Sequence, residues 1–175
     1  FLCILVPIFL TDIVILHALT KNEHAEQLHQ MEKIAKSVQS MLSAATEDSA
    51  LISTSLYMDS SLQDFVSRQY ASPQDYFSSY REYIHNSLLQ GVSRITNSVI
   101  RVYADNETLI NGSEFARLST VSQEPWYQQY TADGYSPRLL FSYDETDGRQ
   151  VLFLRGMNGL YSNKAERLLC IEINY

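Results

Sequence analysis

The chain has 175 residues, of which 45% are hydrophobic, and carries a formal net charge of −7 at pH 7. That length is enough for one ordinary core, or for a long helix followed by a small domain. The acidic balance and the lack of any Lys/Arg cluster in the sequence argue against nucleic-acid binding, because such proteins neutralise phosphates with basic side chains.

The first element is an apolar segment over residues 1–20, which we expect to be a transmembrane helix. Fifteen of the first nineteen residues are apolar, near the lower limit for crossing a bilayer. Asp12 near the middle opposes insertion by roughly 3 kcal/mol, but a dozen Leu, Ile, Val and Phe at roughly −0.5 kcal/mol each more than offset it. A cleaved signal peptide and a helix buried in a larger protein are the alternatives.

A long polar helix is predicted over residues 21–60, because neither Gly nor Pro occurs between residues 8 and 72. Apolar or small residues recur in it at alternating intervals of three and four, which is the heptad seam of a coiled coil. The seam comprises Leu28, Met31, Ala35, Val38, Leu42, Ala45, Ser49, Ile52 and Leu56. It is expected to pack on a twin helix in a homodimer, on the chain's own downstream domain, or on both.

A second helix is predicted to begin at Ser72-Pro73 and to end at Gly91, since Ser caps helix N-termini and Gly follows their C-termini. Its expected buried stripe is Phe77, Tyr80, Ile84 and Leu88. A set of tyrosines in this region is interpreted as core and rim, because Tyr buries its ring and keeps its hydroxyl wet. These are Tyr70, Tyr76, Tyr80 and Tyr83.

The hydrophobic period changes after Gly91, where β-branched and aromatic runs alternate with turn residues. The predicted elements are strands over 98–104 and 108–110, helices over 114–118 and 124–130, and strands over 138–143, 150–157 and 168–174, with a hairpin turn over 145–149. Short connections between the last strands favour an antiparallel sheet with helices on one face. We therefore predict an α+β domain over residues 61–175.

No catalytic or metal-binding motif is recognised in the sequence, which has no GxSxG, HExxH, P-loop or CxxC. We interpret the domain as a binding module, not an enzyme, and predict no cofactor or metal. Small-ligand pockets combine apolar walls with a few polar groups, and here aromatic and cationic residues lie near strand ends and in loops. The candidates are Tyr103, Trp126, Tyr127, Arg138, Tyr143 and Arg155. A core position for Trp126 and a surface ion pair for Arg155 are the alternatives.

As a set, these features resemble the extracellular Cache sensor region of YesM-type two-component histidine kinases of Gram-positive bacteria. The resemblance covers essentially the whole chain. It is carried by the apolar segment and long helix, by SVIRVYADN at 98–106, Thr108-Leu109-Ile110, Asn111-Gly112, Trp126-Tyr127, FSYDETDG at 141–148 and LLCIEINY at the end.

The resemblance implies a PAS-like fold, a ligand pocket between sheet and helical loops, a homodimer, and an extracellular position from about residue 21 onward. It also adds Asp144, beside Tyr143, to the candidate site. Amino-acid-binding Cache domains carry an Arg two residues before the Trp-Tyr pair, where this sequence has Glu124. This departure argues against amino-acid recognition. For YesM-type receptors, the resemblance implies carbohydrate-related signals, sensed directly or through a partner solute-binding protein.

The chain opens on Phe and stops inside an apolar run, so we expect it to be a fragment of a longer protein. By resemblance, the missing part would contain a histidine kinase. A chemoreceptor or a cyclic-nucleotide enzyme with the same sensor is the alternative, as is a protein-interaction module of the same fold.

Overall fold

The computed structural model describes residues 2–85, 87–96, 98–144, 148–157 and 167–173, without the side chains of 2–14, 16, 18, 93–96, 143, 144 and 149. The protein is α+β, with a long N-terminal helix and a five-stranded mixed sheet. The chain divides into two compact units, Phe1–Ala44 and Ala45–Tyr175. The second unit contains the sheet and the last turns of the long helix.

The long helix, α1, spans Leu2–Tyr57 without interruption, which confirms the helix predicted over 21–60 to within three residues of its end. The end is set by Asp59, whose carboxylate accepts hydrogen bonds from the backbone N–H groups of Ser61 and Leu62 at 2.9 and 3.3 Å. This N-cap starts a separate helix, α2, at Ser60–Ser67.

The predicted membrane segment over residues 1–20 falls mostly on residues whose side chains lie outside the described part of the chain. Among the described residues, no helix has the length and apolar character needed to cross a membrane.

The helix predicted from Ser72 to Gly91 consists of two helices, α3 at Pro73–His85 and α4 at Leu88–Thr96. Ser72 is the expected cap, since its hydroxyl accepts the N–H of Asp75 at 3.2 Å. Ser87 caps α4 in the same way, through the N–H of Gln90 at 3.3 Å. The prediction that Gly91 ends the helix is wrong, because this second cap places Gly91 inside α4.

The predicted stripe on the second helix is wrong at Phe77 and Leu88, which are 54% and 44% exposed. The interpretation of the four tyrosines is confirmed. Tyr70 and Tyr76 are buried, and Tyr80 and Tyr83 pack against the same core. They surround Phe65 of α2, whose ring lies 5.0 Å from that of Tyr83 and 4.7 Å from that of Phe115. The aromatic cluster therefore places Tyr76, and not Phe77, on the buried face of α3.

The five strands are β1 (Val99–Ala104), β2 (Phe115–Arg117), β3 (Arg138–Asp144), β4 (Gly148–Gly156) and β5 (Arg167–Ile173), and α5 spans Pro125–Ala132. Four predicted strands and the helix at α5 are confirmed. Of the hairpin turn over 145–149, residues 145–147 lie outside the described residues, as does Asn174 at the end of the last predicted strand. The flanking strands pair antiparallel, with Asp144 opposite Gly148.

Two local predictions are wrong between β1 and α5. Residues 108–110 form no strand, because Asn106 and Thr108 hold this segment against α2. The helix predicted over 114–118 does not form there, because Phe115–Arg117 pairs with β1 as a parallel edge strand and only a short 3-10 helix follows, at Leu118–Thr120. The sheet order is β2-β1-β5-β4-β3. Because β1 and β2 are parallel and the other neighbouring strands are antiparallel, the sheet is mixed instead of purely antiparallel.

Helices cover both faces of the sheet, which corrects the prediction that they lie on one. On the first face, α1, α2 and α3 pack over Ile100, Val102, Phe153 and Ile171. On the second face, Tyr130 of α5 packs with Leu152, Leu154, Leu168 and Cys170. The alternation of side chains along each strand assigns neighbouring residues to opposite faces.

Asn106, which follows β1 after one intervening residue, links the sheet to α2. Its side-chain nitrogen donates to the carbonyls of Val66 and Arg68 at 3.0 and 2.9 Å. Its side-chain oxygen accepts from the N–H and the hydroxyl of Thr108 at 3.0 and 2.7 Å. The residue is 4% exposed, so these bonds replace water for a buried amide.

We predict that Asn106→Ala lowers the free energy of unfolding by about 3 kcal/mol, because several buried polar groups lose their partners. Urea denaturation followed by circular dichroism measures this. The control is Asn111→Ala, which removes one hydrogen bond, from the N–H of Arg117, at an exposed side chain. Equal losses in the two variants would contradict the prediction.

Candidate ligand-binding cavity

A cavity of about 210 Å³ lies on the second face of the sheet, beneath the start of α5. Three strands form its floor, and the chain between β2 and α5 forms its wall. The lining residues are Val99, Arg101, Tyr103, Val121, Glu124, Trp126, Gln150, Leu152, Cys170 and Glu172.

The strand register explains why these side chains converge. Glu172 of β5 stands opposite Val99 of β1 on one side and Leu152 of β4 on the other. Cys170, two residues earlier on β5, stands opposite Arg101. Because alternate residues share a face, β1 contributes three side chains to the floor of the cavity, and β4 and β5 contribute two each.

Arg101 supplies a cation to the cavity lining, and its position is held by neighbouring groups. Its Nε donates to the carbonyl of Ser113 at 3.0 Å, and a terminal nitrogen donates to the Tyr103 hydroxyl at 3.5 Å. Burial raises the pKa of Tyr103 above its usual value, although Arg101 opposes the shift. The Tyr103 phenol is therefore neutral at pH 7.

Cys170 is a protonated thiol, not a nucleophile. Burial raises its pKa to about 12, so the reactive thiolate is scarce at neutral pH. Among the residues that the structure describes, no group of three or more His, Cys, Asp or Glu side chains is arranged to hold a metal ion.

The start of α5 places an aromatic and an acidic side chain over the floor. Pro125 occupies the first turn, and Glu124 precedes it without making a side-chain capping bond. The Trp126 ring is half-buried, with its centroid 6.0 Å from that of Tyr103, and Tyr127 stands edge-on to it at 6.0 Å. The Glu124 carboxylate is therefore not used to cap the helix.

The structure brings only some of the predicted site residues together. Tyr103 and Trp126 line the cavity, and Tyr127 packs beside them. Arg138 forms an ion pair with Asp133. The side chains of Tyr143 and Asp144, at the end of β3, lie outside the described residues.

Sequence reasoning did not select Arg101, Gln150, Cys170 and Glu172, and it singled out Glu124 only as a departure from the Cache pattern. Arg101 lies two residues before Tyr103 on one strand, so the alternation of a strand was enough to place both on one face. The residues on β4 and β5 needed the strand order, which the local pattern does not contain.

Arg155 lies on the opposite face of β4, where it holds α1. One terminal nitrogen donates to the hydroxyls of Ser53 and Thr54 at 3.1 and 2.7 Å. The guanidinium also lies over the Tyr57 ring, 5.0 Å from its centroid. On β5, Arg167 donates to Gln63 and to the hydroxyl of Ser67 on α2. Two arginines of the cavity-forming strands thus contact the helices on the other face.

A wider groove of about 720 Å³ lies on this helical face, lined by residues of α2, α3 and the end of α1. Two of its charged groups already have partners within the chain, since Asp59 caps α2 and Arg68 pairs with Asp75 at 3.0 Å. The smaller cavity is the better candidate site, because it gathers charged, amide and aromatic side chains from separate elements.

No family model matches the chain, and neither the curated proteins nor the solved structures contain a significant match to it.

We predict that Arg155→Ala speeds amide hydrogen exchange in α1 at residues 49–57, because a cation–π contact and two hydrogen bonds to the helix are lost. The free energy of unfolding should fall by about 1–2 kcal/mol. Hydrogen-exchange mass spectrometry measures the local effect.

The matched control is Arg138→Ala, which removes an ion pair with the nearby Asp133 and leaves the contacts of α1 intact. Equal exchange at residues 49–57 in both variants would show that Arg155 does not hold the helix.

Proposed function

We propose that this chain is the extracytoplasmic sensing domain of a membrane-bound two-component histidine kinase, with a PAS-like Cache fold. The observation that carries the proposal is the cavity between the sheet and α5, where Tyr103 and Trp126 meet polar side chains from three strands. A site of this kind takes a small ligand, since apolar walls bury it and a few polar groups orient it.

The contacts of the central strands support a route for the signal. Leu152 of β4 and Glu172 of β5 line the cavity, while Arg155 and Arg167 on the same two strands bind α1 and α2. A ligand shifts such an arrangement only by binding one packing of helix on sheet more tightly than another. We propose that α1 carries this shift towards the membrane.

The membrane and kinase parts of the proposal rest on the sequence. Residues 1–20 would be the anchor, and residues from about 21 onward would be extracellular. The kinase domain would belong to the full-length protein. The resemblance implies a carbohydrate-related ligand, and a chemoreceptor or cyclic-nucleotide enzyme remains the alternative output.

We also propose that the chain forms a homodimer through the first part of the heptad seam. Leu28, Met31 and Val38 are 67%, 66% and 49% exposed. Ser49 and Leu56, later in the same seam, are buried within the second unit. The seam thus serves the chain's own core in its last turns and leaves an apolar stripe for a twin helix in its first turns.

We predict that Leu28→Glu with Val38→Glu dissociates the dimer, since two carboxylates per helix would enter the seam. Sedimentation velocity of the full chain measures the change. The control adds the same charge on the outer face through Gln30→Glu with Ser40→Glu, both exposed positions. Dissociation by both pairs, or by neither, would contradict a dimer built on this seam.

A protein-interaction module that senses a solute-binding protein is the second candidate. It is favoured by apolar side chains that line the wider groove, because exposed apolar surface marks protein contacts. Met58 is 73% exposed and Leu88 is 44% exposed.

Trp126 is the single tryptophan of the chain and lines the cavity, so its fluorescence reports on ligands bound there. We predict that one class among sugars, amino acids, carboxylates and amines changes this fluorescence saturably and raises the melting temperature of the full chain. If no class does so while the protein is folded, direct sensing fails, and capture of a solute-binding protein would then support the second candidate.

A further inference from the structure

We propose that the ligand of the cavity is a small organic ammonium ion with a short aliphatic part. This inference rests on the proposed function, because it names the ligand class of the same site. It follows from the charge, the aromatic wall and the size of the cavity.

The charges that line the cavity favour a cation. Glu124 and Glu172 are carboxylates, and Arg101 is the one cation among the lining residues that the structure describes. Neither glutamate forms a salt bridge with another of the described residues. The described lining residues therefore have a formal net charge of −1, which the positive charge of one ammonium group neutralises.

Two N–H donors of Arg101 already have partners within the chain. Its Nε is bonded to the Ser113 carbonyl, and a terminal nitrogen is bonded to the Tyr103 hydroxyl. Other N–H donors of the guanidinium remain, but a carboxylate ligand that reached them would also approach the two glutamates, whose like charge disfavours it. An ammonium group meets acceptors instead, since an ionised carboxylate accepts hydrogen bonds and donates none.

The aromatic and apolar walls suit the rest of an alkylammonium ion. Trp126 is half-buried, and Trp offers the strongest face for a cation–π contact. Val99, Val121 and Leu152 supply apolar surface for a short carbon chain.

The volume favours a ligand smaller than a drug-sized molecule. The cavity measures about 210 Å³, whereas pockets for drug-sized ligands measure about 300–1,000 Å³. A neutral saccharide would leave the net charge of −1 among the described lining residues uncompensated, so the cavity favours a compact amine over a sugar.

The test uses the full chain and three probes matched in size, namely propylammonium, propionate and glycerol, with glucose as the saccharide. Trp126 fluorescence and the melting temperature are the readouts. We expect propylammonium to produce a saturable fluorescence change and a higher melting temperature, and the other three to produce neither.

The variants Glu124→Gln and Glu172→Gln should each weaken propylammonium binding about tenfold or more, because a charge-assisted hydrogen bond becomes neutral. Glu107→Gln is the matched control, since Glu107 is exposed and lies outside the lining. The affinity of the Glu107→Gln variant for propylammonium should equal that of the parent protein. Circular dichroism checks that each variant is folded.

The outcomes separate this inference from the proposed function. A response to propionate, glycerol or glucose with none to propylammonium overturns the ammonium class and leaves sensing in the cavity intact. No response to any probe or to the wider library overturns both. Propylammonium binding that is unchanged in both glutamate variants overturns the assignment of these carboxylates as its receptors.

Discussion

The structure depends on the burial of β5 on both faces. This strand lies at the centre of the sheet, and Leu168, Leu169, Cys170 and Ile171 are all buried. Each large apolar side chain removed from water contributes up to about 1.5–3 kcal/mol. A strand of this kind needs cover above and below, so α1, α2 and α3 pack on one side and α5 packs on the other.

The two faces differ in which side chains line the spaces that they leave, and the candidate function lies in that difference. On the first face, the aromatic cluster around Phe65 packs between helices and sheet, and a wider groove lies among the helices. On the second face, the start of α5 leaves a small space above Arg101 and Glu172. Arg155 and Arg167 lie on the strands between these layers and bind the helices. The cavity is therefore connected to α1 through β4 and to α2 through β5, because each of these strands has residues at both places.

Several short sequence segments were compatible with more than one secondary structure, and tertiary contacts or helix caps selected the one that forms. The segment 114–118 has a serine cap signal, yet the free edge of β1 recruits it as a strand because Phe115 can then enter the aromatic cluster. Gly91 is a common helix terminator, but the hydroxyl of Ser87 starts α4 just before it. The segment 108–110 is β-prone, but the side chain of Asn106 holds it in a turn.

The sequence by itself determined the long helix, four of the five strands, α5 and the core role of the tyrosines. These features arise from local periodicity, from the lack of Gly and Pro in α1, and from caps and turns that act over a few residues. Only the tertiary structure decided that β5 separates β1 from β4, and therefore that Glu172, Arg101 and Leu152 share one cavity. It also decided that Arg155 faces α1. The physical reason is that pairing between distant strands depends on the burial of both sheet faces, which no short stretch of sequence specifies.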